Sequence, residues 1–167
     1  MKASKSNKFK EAVEATPDIA QCYEKGLDAV EEKNRIKVQD TKKLQGSVFI
    51  DECLQKVKKY SQQNRWDYVV GYKDHAFYVE VHGAKDSEVK KLIKKLQWVR
   101  AWRASSESLS KIPSTYHWVR IKGSITANSS WMRRAAEAKL YPVNILDLDQ
   151  VLKEEKESHA TRIHPIS

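Results

Sequence analysis

Three polar residues stand where apolar ones are the rule: Asp67 in the run 66–71 (WDYVVG), and Glu80 and His82 in the run 77–82 (FYVEVH). Both runs are otherwise almost continuously apolar, the pattern of strands covered on both faces. A carboxylate in such a place is costly unless it is paired, hydrogen-bonded or bound to a metal. Strand periodicity sets the geometry. If Lys73 and Asp74 form a two-residue turn, Tyr72 pairs with His75 and Asp67 falls opposite Glu80, their side chains roughly 5 Å apart on one face. A four-residue loop keeps that pairing, whereas an odd-length loop separates the acids onto opposite faces. His82, two positions beyond Glu80, joins the same face. Two carboxylates and an imidazole form a ligand set for Mg²⁺ or Mn²⁺, the nitrogen leaning toward Mn²⁺. Such an ion ionises water and neutralises charge developing on a phosphodiester. The plainer reading makes the acids strand-edge polar residues and His82 a strand-end cap.

A helix with an acid near its start (Glu52), a strand with Asp67, and a following strand carrying Glu80-Val81-His82 into another helix resemble the PD-(D/E)xK, or restriction-endonuclease-like, superfamily over about residues 47–122. The resemblance implies a mixed sheet flanked by helices. It also implies a site in which the strand Asp and an E-x-K on the next strand bind Mg²⁺ for phosphodiester hydrolysis, often with an acid from the preceding helix. Carried over, it makes Asp67 and Glu80 metal ligands, His82 a ligand or base, and Glu52 an outer acid. His82 occupies the family's lysine position. In some members the lysine moves to the next helix, where Lys85, Lys91 and Lys95 are the choices here. The alternative is a catalytically inactive member that binds nucleic acid or serves as a regulatory module.

Residues 86–102 carry an apolar stripe (Val89, Leu92, Ile93, Leu96, Val99, Trp102) that predicts a helix packed on the sheet. Its first-turn acids, Asp86 and Glu88, suit the helix dipole. The basic residues around the stripe, Lys85, Lys91, Lys94 and Lys95 among them, are expected on the solvent side, a surface able to track phosphates. A solvated helix face is the ordinary alternative. Trp98, among these lysines on the helical wheel, could stack on an unpaired base, though packing is its commoner fate. Arg120, in the strand expected at 115–121, is a weaker phosphate contact.

Stepping outward, the chain has 167 residues and a net charge of +9, from 31 basic and 22 acidic residues. That charge makes polyanions the default partners, DNA or RNA first, with an acidic protein subunit as the alternative. The polar start, the absence of a long apolar run, and two cysteines lacking metal-ligand spacing predict a cytosolic protein, without membrane attachment, whose Cys22 and Cys53 are buried thiols. One domain is expected over 11–152, between mobile ends at 1–10 and 153–167. Within it the spacing predicts helices over 16–33, 51–63, 86–102 and from Ser129 or Ser130 to 139. Strands are expected at 66–71, 77–82 and 115–121, with a hairpin of 35–39 and 46–50 and a last apolar run at 143–148. The fold class is α/β (α+β), a mixed central sheet flanked by helices. Walker, dinucleotide-binding, zinc-protease and serine-hydrolase motifs are absent.

Overall fold

Thr16 closes a helix rather than opening one. In the computed structural model, which describes residues 6–123 and 130–163, α1 (Lys8–Glu14) is capped by the Asn7 side chain on Lys10 N. The Thr16 hydroxyl bonds back to Ala12 O at 2.8 Å, so the chain turns at Pro17. The helix expected over 16–33 is replaced by turns and short 3₁₀ segments, Ala20–Cys22 and Lys33–Arg35. Gly26, at φ +52°, sits in the middle of that stretch, where a helix would need φ near −60°. Ile19 and Val30 are buried as their apolar character requires, without helical spacing being used. Residues 8–10 begin α1 instead of extending a loose end, and Phe9 is buried against Gly71. A Cβ at Gly71 would meet the Phe9 ring at 2.3 Å, so only glycine admits this contact.

Among the described residues a five-stranded mixed sheet has the order β2 (Leu44–Phe49), β3 (Tyr68–Tyr72), β4 (His75–Ala84), β5 (Ser114–Gly123), β6 (Pro142–Val143). β2, β3 and β4 form an antiparallel meander, and β4, β5 and β6 run parallel. Parallel neighbours need crossovers, supplied by α3 (Asp86–Ser105) with α4 (Glu107–Ser110), and by α5 (Ser130–Glu137). The last described element is α6 (Leu148–Ile163), so residues 153–163 continue a helix, while 164–167 lie outside the described residues. The hairpin expected between 35–39 and 46–50 does not form. β1 (Ile36–Lys37) pairs in parallel with β7 (Leu146–Asp147), and β2 pairs with β3. Among the described residues no helix is long and apolar enough to cross a membrane.

Side chains divide across the sheet as alternation demands. Val69, Ala76, Tyr78 and Trp118 pack with α1, α3 and α5 on one face, whereas Tyr68, Val70, Phe77, Val79 and Val119 pack with Val30, Leu146 and Leu148 on the other. Central strands covered on both sides explain the near-continuous apolar runs. The cysteines depart from expectation: Cys22 and Cys53 are joined in a disulfide, tying the first 3₁₀ segment to α2 (Ile50–Gln55). Closing a loop with a sequence separation of 31 is worth about 3–4 kcal/mol in the chain-entropy picture.

Candidate functional site

The turn between β3 and β4 has two residues, Lys73 and Asp74, both in the left-handed region at φ 50° and 60°. That is the backbone of the type I′ hairpin turn, whose twist matches its strands. Tyr72 pairs with His75 and Tyr68 with Val79, so Asp67, one residue before β3, faces Glu80. The even-length condition is met.

Each acid is held by the other's strand. Asp67 N donates to Glu80 Oε2 at 2.9 Å, and Val81 N donates to Asp67 Oδ2 at 3.0 Å. Lys95, from the third turn of α3, donates its Nζ to Glu80 Oε1. Glu80 is fully buried. Burial pushes its carboxyl up to about 8, Asp67 adding to the shift and Lys95 opposing it. Burial likewise raises Asp67, with Lys95 the leading counterweight. For Lys95 burial works against the charged form, but Glu80 and Asp67 outweigh it and the ammonium's pKa is raised. The centre is therefore a pair of acids, one fully buried and one half-buried, sharing a single lysine.

His82 follows on the same strand, its Nδ1 4.0 Å from Glu80 Oε1 and its Nε2 2.8 Å from Glu88 Oε2 at the start of α3. Across the parallel ladder it is in register with Arg120. β5 carries one residue more than β4 between the pairs His82–Arg120 and Ala84–Gly123, a bulge of the sort that re-aims strands beside sites.

Glu52 is placed elsewhere. It is exposed and lines a hollow at the disulfide with Glu24, Asp28, Glu31 and Lys56. The α2 acid that acts on Asp67 and Lys95 is Asp51. Asp51 N donates to Asp67 O at 3.3 Å, and Arg65 Nε donates to Asp51 Oδ1 at 2.9 Å. Arg65 also donates to the carbonyls of Tyr60 and Ser61 at 2.8 and 2.9 Å, which secures the turns that replace a helix beyond Gln55. Sequence spacing makes Asp51 the N-cap of this helix and gives the site role to its neighbour Glu52, with no role for Arg65; α2 instead starts at Ile50 with Phe49 at the N-cap position, and that one-residue difference decides which acid serves the site.

Lys85, Lys91 and Lys94 are exposed, as the stripe predicts. Lys95 is not, because it lies beside Leu92, Leu96 and Val99 and points under the helix, with 15 % of its side chain exposed. Trp98 stacks on Trp102 with ring centroids 5.9 Å apart, meets Tyr60 edge-on, and donates Nε1 to Gln63 Oε1 at 2.5 Å. It is half-buried, with one face taken by Trp102. Arg120 is bonded through Nε and Nη2 to Asn144 Oδ1, at 3.0 and 2.8 Å.

As the side chains stand, no three histidines, cysteines or acids among the described residues converge as an ion's ligands. Asp67, half-buried, and Glu80, fully buried with Oε1 held by Lys95, supply two carboxylates of the oxygen type that Mg²⁺ takes. Compared with models of protein families, with curated proteins and with solved structures, the chain matches none.

Proposed function

We propose that the protein is a metal-dependent nuclease of the PD-(D/E)xK, restriction-endonuclease-like kind, acting on phosphodiesters of DNA or RNA. The observation that carries this reading is the constellation of Asp67 and Glu80 on adjacent antiparallel strands with Lys95 on Glu80. Lys95 takes the part of the family lysine that has moved to the following helix, and His82 stands in the vacated strand position. Asp67 and Glu80 would hold Mg²⁺ or Mn²⁺, which when bound supplies charge neutralisation at the phosphate and acidifies water. The remaining work belongs to the chain. Val81 N orients Asp67, Asp67 N orients Glu80, and Asp51, fixed by Arg65, adds negative potential from α2. Lys95, released from one Glu80 oxygen, stays beside the acid pair, where its ammonium can pair with a phosphate oxygen or hold a water for attack. Exposed Lys91 and Lys94, one turn of α3 apart, are placed to contact a nucleic-acid backbone.

A second reading rests on the same contact. Lys95 already neutralises Glu80, so the centre is stable without an ion and the domain could bind nucleic acid without cutting it. One experiment separates the two. Single- and double-stranded DNA and RNA are incubated with the protein in Mn²⁺, Mg²⁺ or EDTA, beside Asp67→Asn, Glu80→Gln and Lys95→Ala. The nuclease reading expects cleavage that EDTA abolishes and each substitution lowers at least about a hundredfold, the scale of a lost acid–base or electrostatic group. Cleavage indifferent to the substitutions overturns it, and salt-sensitive binding without cleavage establishes the second reading.

A further inference from the structure

A strand edge left without a ladder is a row of donors and acceptors that another chain can take up. Ala76 N donates to Pro113 O at 2.9 Å, so that carbonyl points to β4, and across the same trans peptide Ser114 N–H points the other way. The alternation holds along β5, since Arg120 O also faces away from β4 and accepts from Arg35 Nη1 at 2.8 Å. Ser114, Tyr116, Trp118 and Arg120 therefore turn their backbone groups to the outer edge. Trp118 is covered by β6 and Arg120 O by Arg35, but among the described residues no ladder reaches Ser114 or Tyr116.

The gap has its cause at the end of α5. Leu140 N donates to Ala135 O at 2.8 Å and Lys139 N to Ala136 O at 2.9 Å, with Lys139 at φ +59°, the left-handed cap that ends a helix by turning the chain. Leu140 is buried by that turn, and the chain joins β5 only at Pro142. Residues 114–117 are left to line a cleft of about 480 Å³. On one side of it stand Arg100 of α3, 5.3 Å from the centroid of the Tyr116 ring, and exposed Lys139; on the other stand exposed Glu154 and Glu155 of α6. Tyr141, 62 % exposed, lies at the end next to β6.

We propose that residues 114–117 of β5 are a docking edge for an extended segment of a partner protein, about four to six residues long, which adds beside β5 ahead of β6 with acidic side chains toward Arg100 and Lys139 and basic ones toward Glu154 and Glu155. Side chains of a strand alternate between faces, so a segment of alternating sign meets both walls at once. Hydrogen bonds to the Ser114 and Tyr116 backbone supply affinity, and the two walls choose the sequence. A polyanion is the wrong occupant because one wall is acidic. The inference is independent of the nuclease reading.

The test uses the full chain and the peptide Val-Glu-Lys-Glu-Lys-Val, amidated and carrying an N-terminal fluorescein, followed by fluorescence anisotropy and amide hydrogen exchange. The peptide's side-chain charges cancel, so the protein's net charge does not decide its binding. Affinity should be at least about tenfold lower for Val-Glu-Glu-Lys-Lys-Val, of the same composition, and for the alternating peptide with Arg100→Glu or Glu154→Lys/Glu155→Lys. The Ser114 and Tyr116 amides should exchange more slowly when the peptide binds, while those of Thr115 and His117, which face β4, change little. Only every second peptide residue turns its backbone to β5, so N-methylation of both Glu amides or of both Lys amides should abolish binding, and the other pair should be tolerated. Equal affinity for the two sequence orders, methylated peptides that behave alike, no binding by about 1 mM, or unchanged exchange at Ser114 and Tyr116 overturns the proposal. Protection of those two amides without peptide also overturns it, assigning the edge to a second copy if the protein is a dimer and to this chain itself if it is a monomer.

Discussion

Lys95 and Glu80 depend on each other unequally. Glu80 is fully buried, whereas Lys95 keeps 15 % of its side chain exposed and can reach water. Removing the lysine should therefore cost more than removing the acid, and the cost should follow pH. Glu80 titrates at about 8 in the fold against 4.5 for an ordinary glutamate, so between those values the folded chain holds a proton that the unfolded chain has released. Its contribution to stability is present below pH 4.5 and is lost as pH rises through 8. Lys95→Met raises that carboxyl further. At pH 6 Glu80 is protonated with or without the lysine and the loss should be small, about 1 kcal/mol; at pH 9 the variant still holds the proton that the wild type has begun to release above 8, which adds about 1.4 kcal/mol per pH unit. Urea denaturation at both pH values checks this, and Glu80→Gln in the Lys95→Met background should recover the pH 9 loss. Equal losses at the two pH values would mean that Glu80 is not the buried charge. Both acids and His82 are legible in the sequence because they interrupt apolar strands of period two. Lys95 is legible only as one lysine among several, since its inward direction depends on where α3 lies over β4.

At the scale of elements, β4 and β5 are joined by more than their ladder. His75 Nε2 is 3.0 Å from Thr115 Oγ1, and the same hydroxyl is 2.6 Å from His117 Nε2. A hydroxyl donates one hydrogen, so one imidazole accepts from Thr115 and the other donates to it, an arrangement that requires a neutral acceptor ring. Burial lowers both histidines to about 4, with Arg103 adding to His75 and His75 to His117. The unfolded chain takes up these protons below pH 6.5 and the folded chain resists until about 4. The stabilisation is thus complete above 6.5 and declines as pH falls toward 4, by roughly 3 kcal/mol for each ring. Between pH 7 and 5 the urea midpoint of the wild type should fall relative to that of His75→Asn/His117→Asn, in which the Glu80 proton remains to raise stability as pH drops. A parallel course in the double variant would remove the pair as the cause. The central elements were readable for local reasons: a two-residue turn, strand alternation, and an apolar stripe down α3. The segment 16–35 was not, because its apolar residues have helical spacing yet are buried in two separate clusters, Ile19 in one and Val30 in the other, while Glu24 and Ser47 of β2 exchange backbone hydrogen bonds at 2.9 Å. A short helix such as α2, or the parallel pairing of β1 with β7 across more than a hundred residues, depends on tertiary partners that no local pattern announces.

For the molecule as a whole, the charge of +9 was legible from the first, but its use depends on where the fold leaves it. Some basic groups are committed internally: Arg65 to Asp51, Lys73 to Asp149, and Lys95 to Glu80. Others on α3 remain exposed, including Lys94 next to the inward-facing Lys95 and Lys91 one turn before it. If that face carries a nucleic-acid backbone past the acid pair, affinity should follow counterion release rather than sequence. The logarithm of the binding constant should then fall linearly with the logarithm of salt concentration, by about 0.7 per phosphate contact on a single strand and about 0.9 on a duplex. Lys91→Gln/Lys94→Gln should flatten that slope by nearly two on duplex DNA and weaken binding alike across sequences, leaving the unfolding midpoint within about 0.5 kcal/mol, as expected for exposed substitutions. Lys73→Gln, whose ammonium is already paired with Asp149, is the matched control for loss of formal charge. It should leave the slope near its wild-type value. Fluorescence anisotropy with a labelled duplex from 50 to 300 mM KCl, on the order of the range in which such contacts are lost, measures all three slopes. Equal slopes for the α3 variant and the wild type would show that the basic face of α3 is only solvated and that any polyanion contact lies on another surface. A slope altered as much by Lys73→Gln as by the α3 pair would show that net charge, rather than its placement beside Asp67 and Glu80, governs binding.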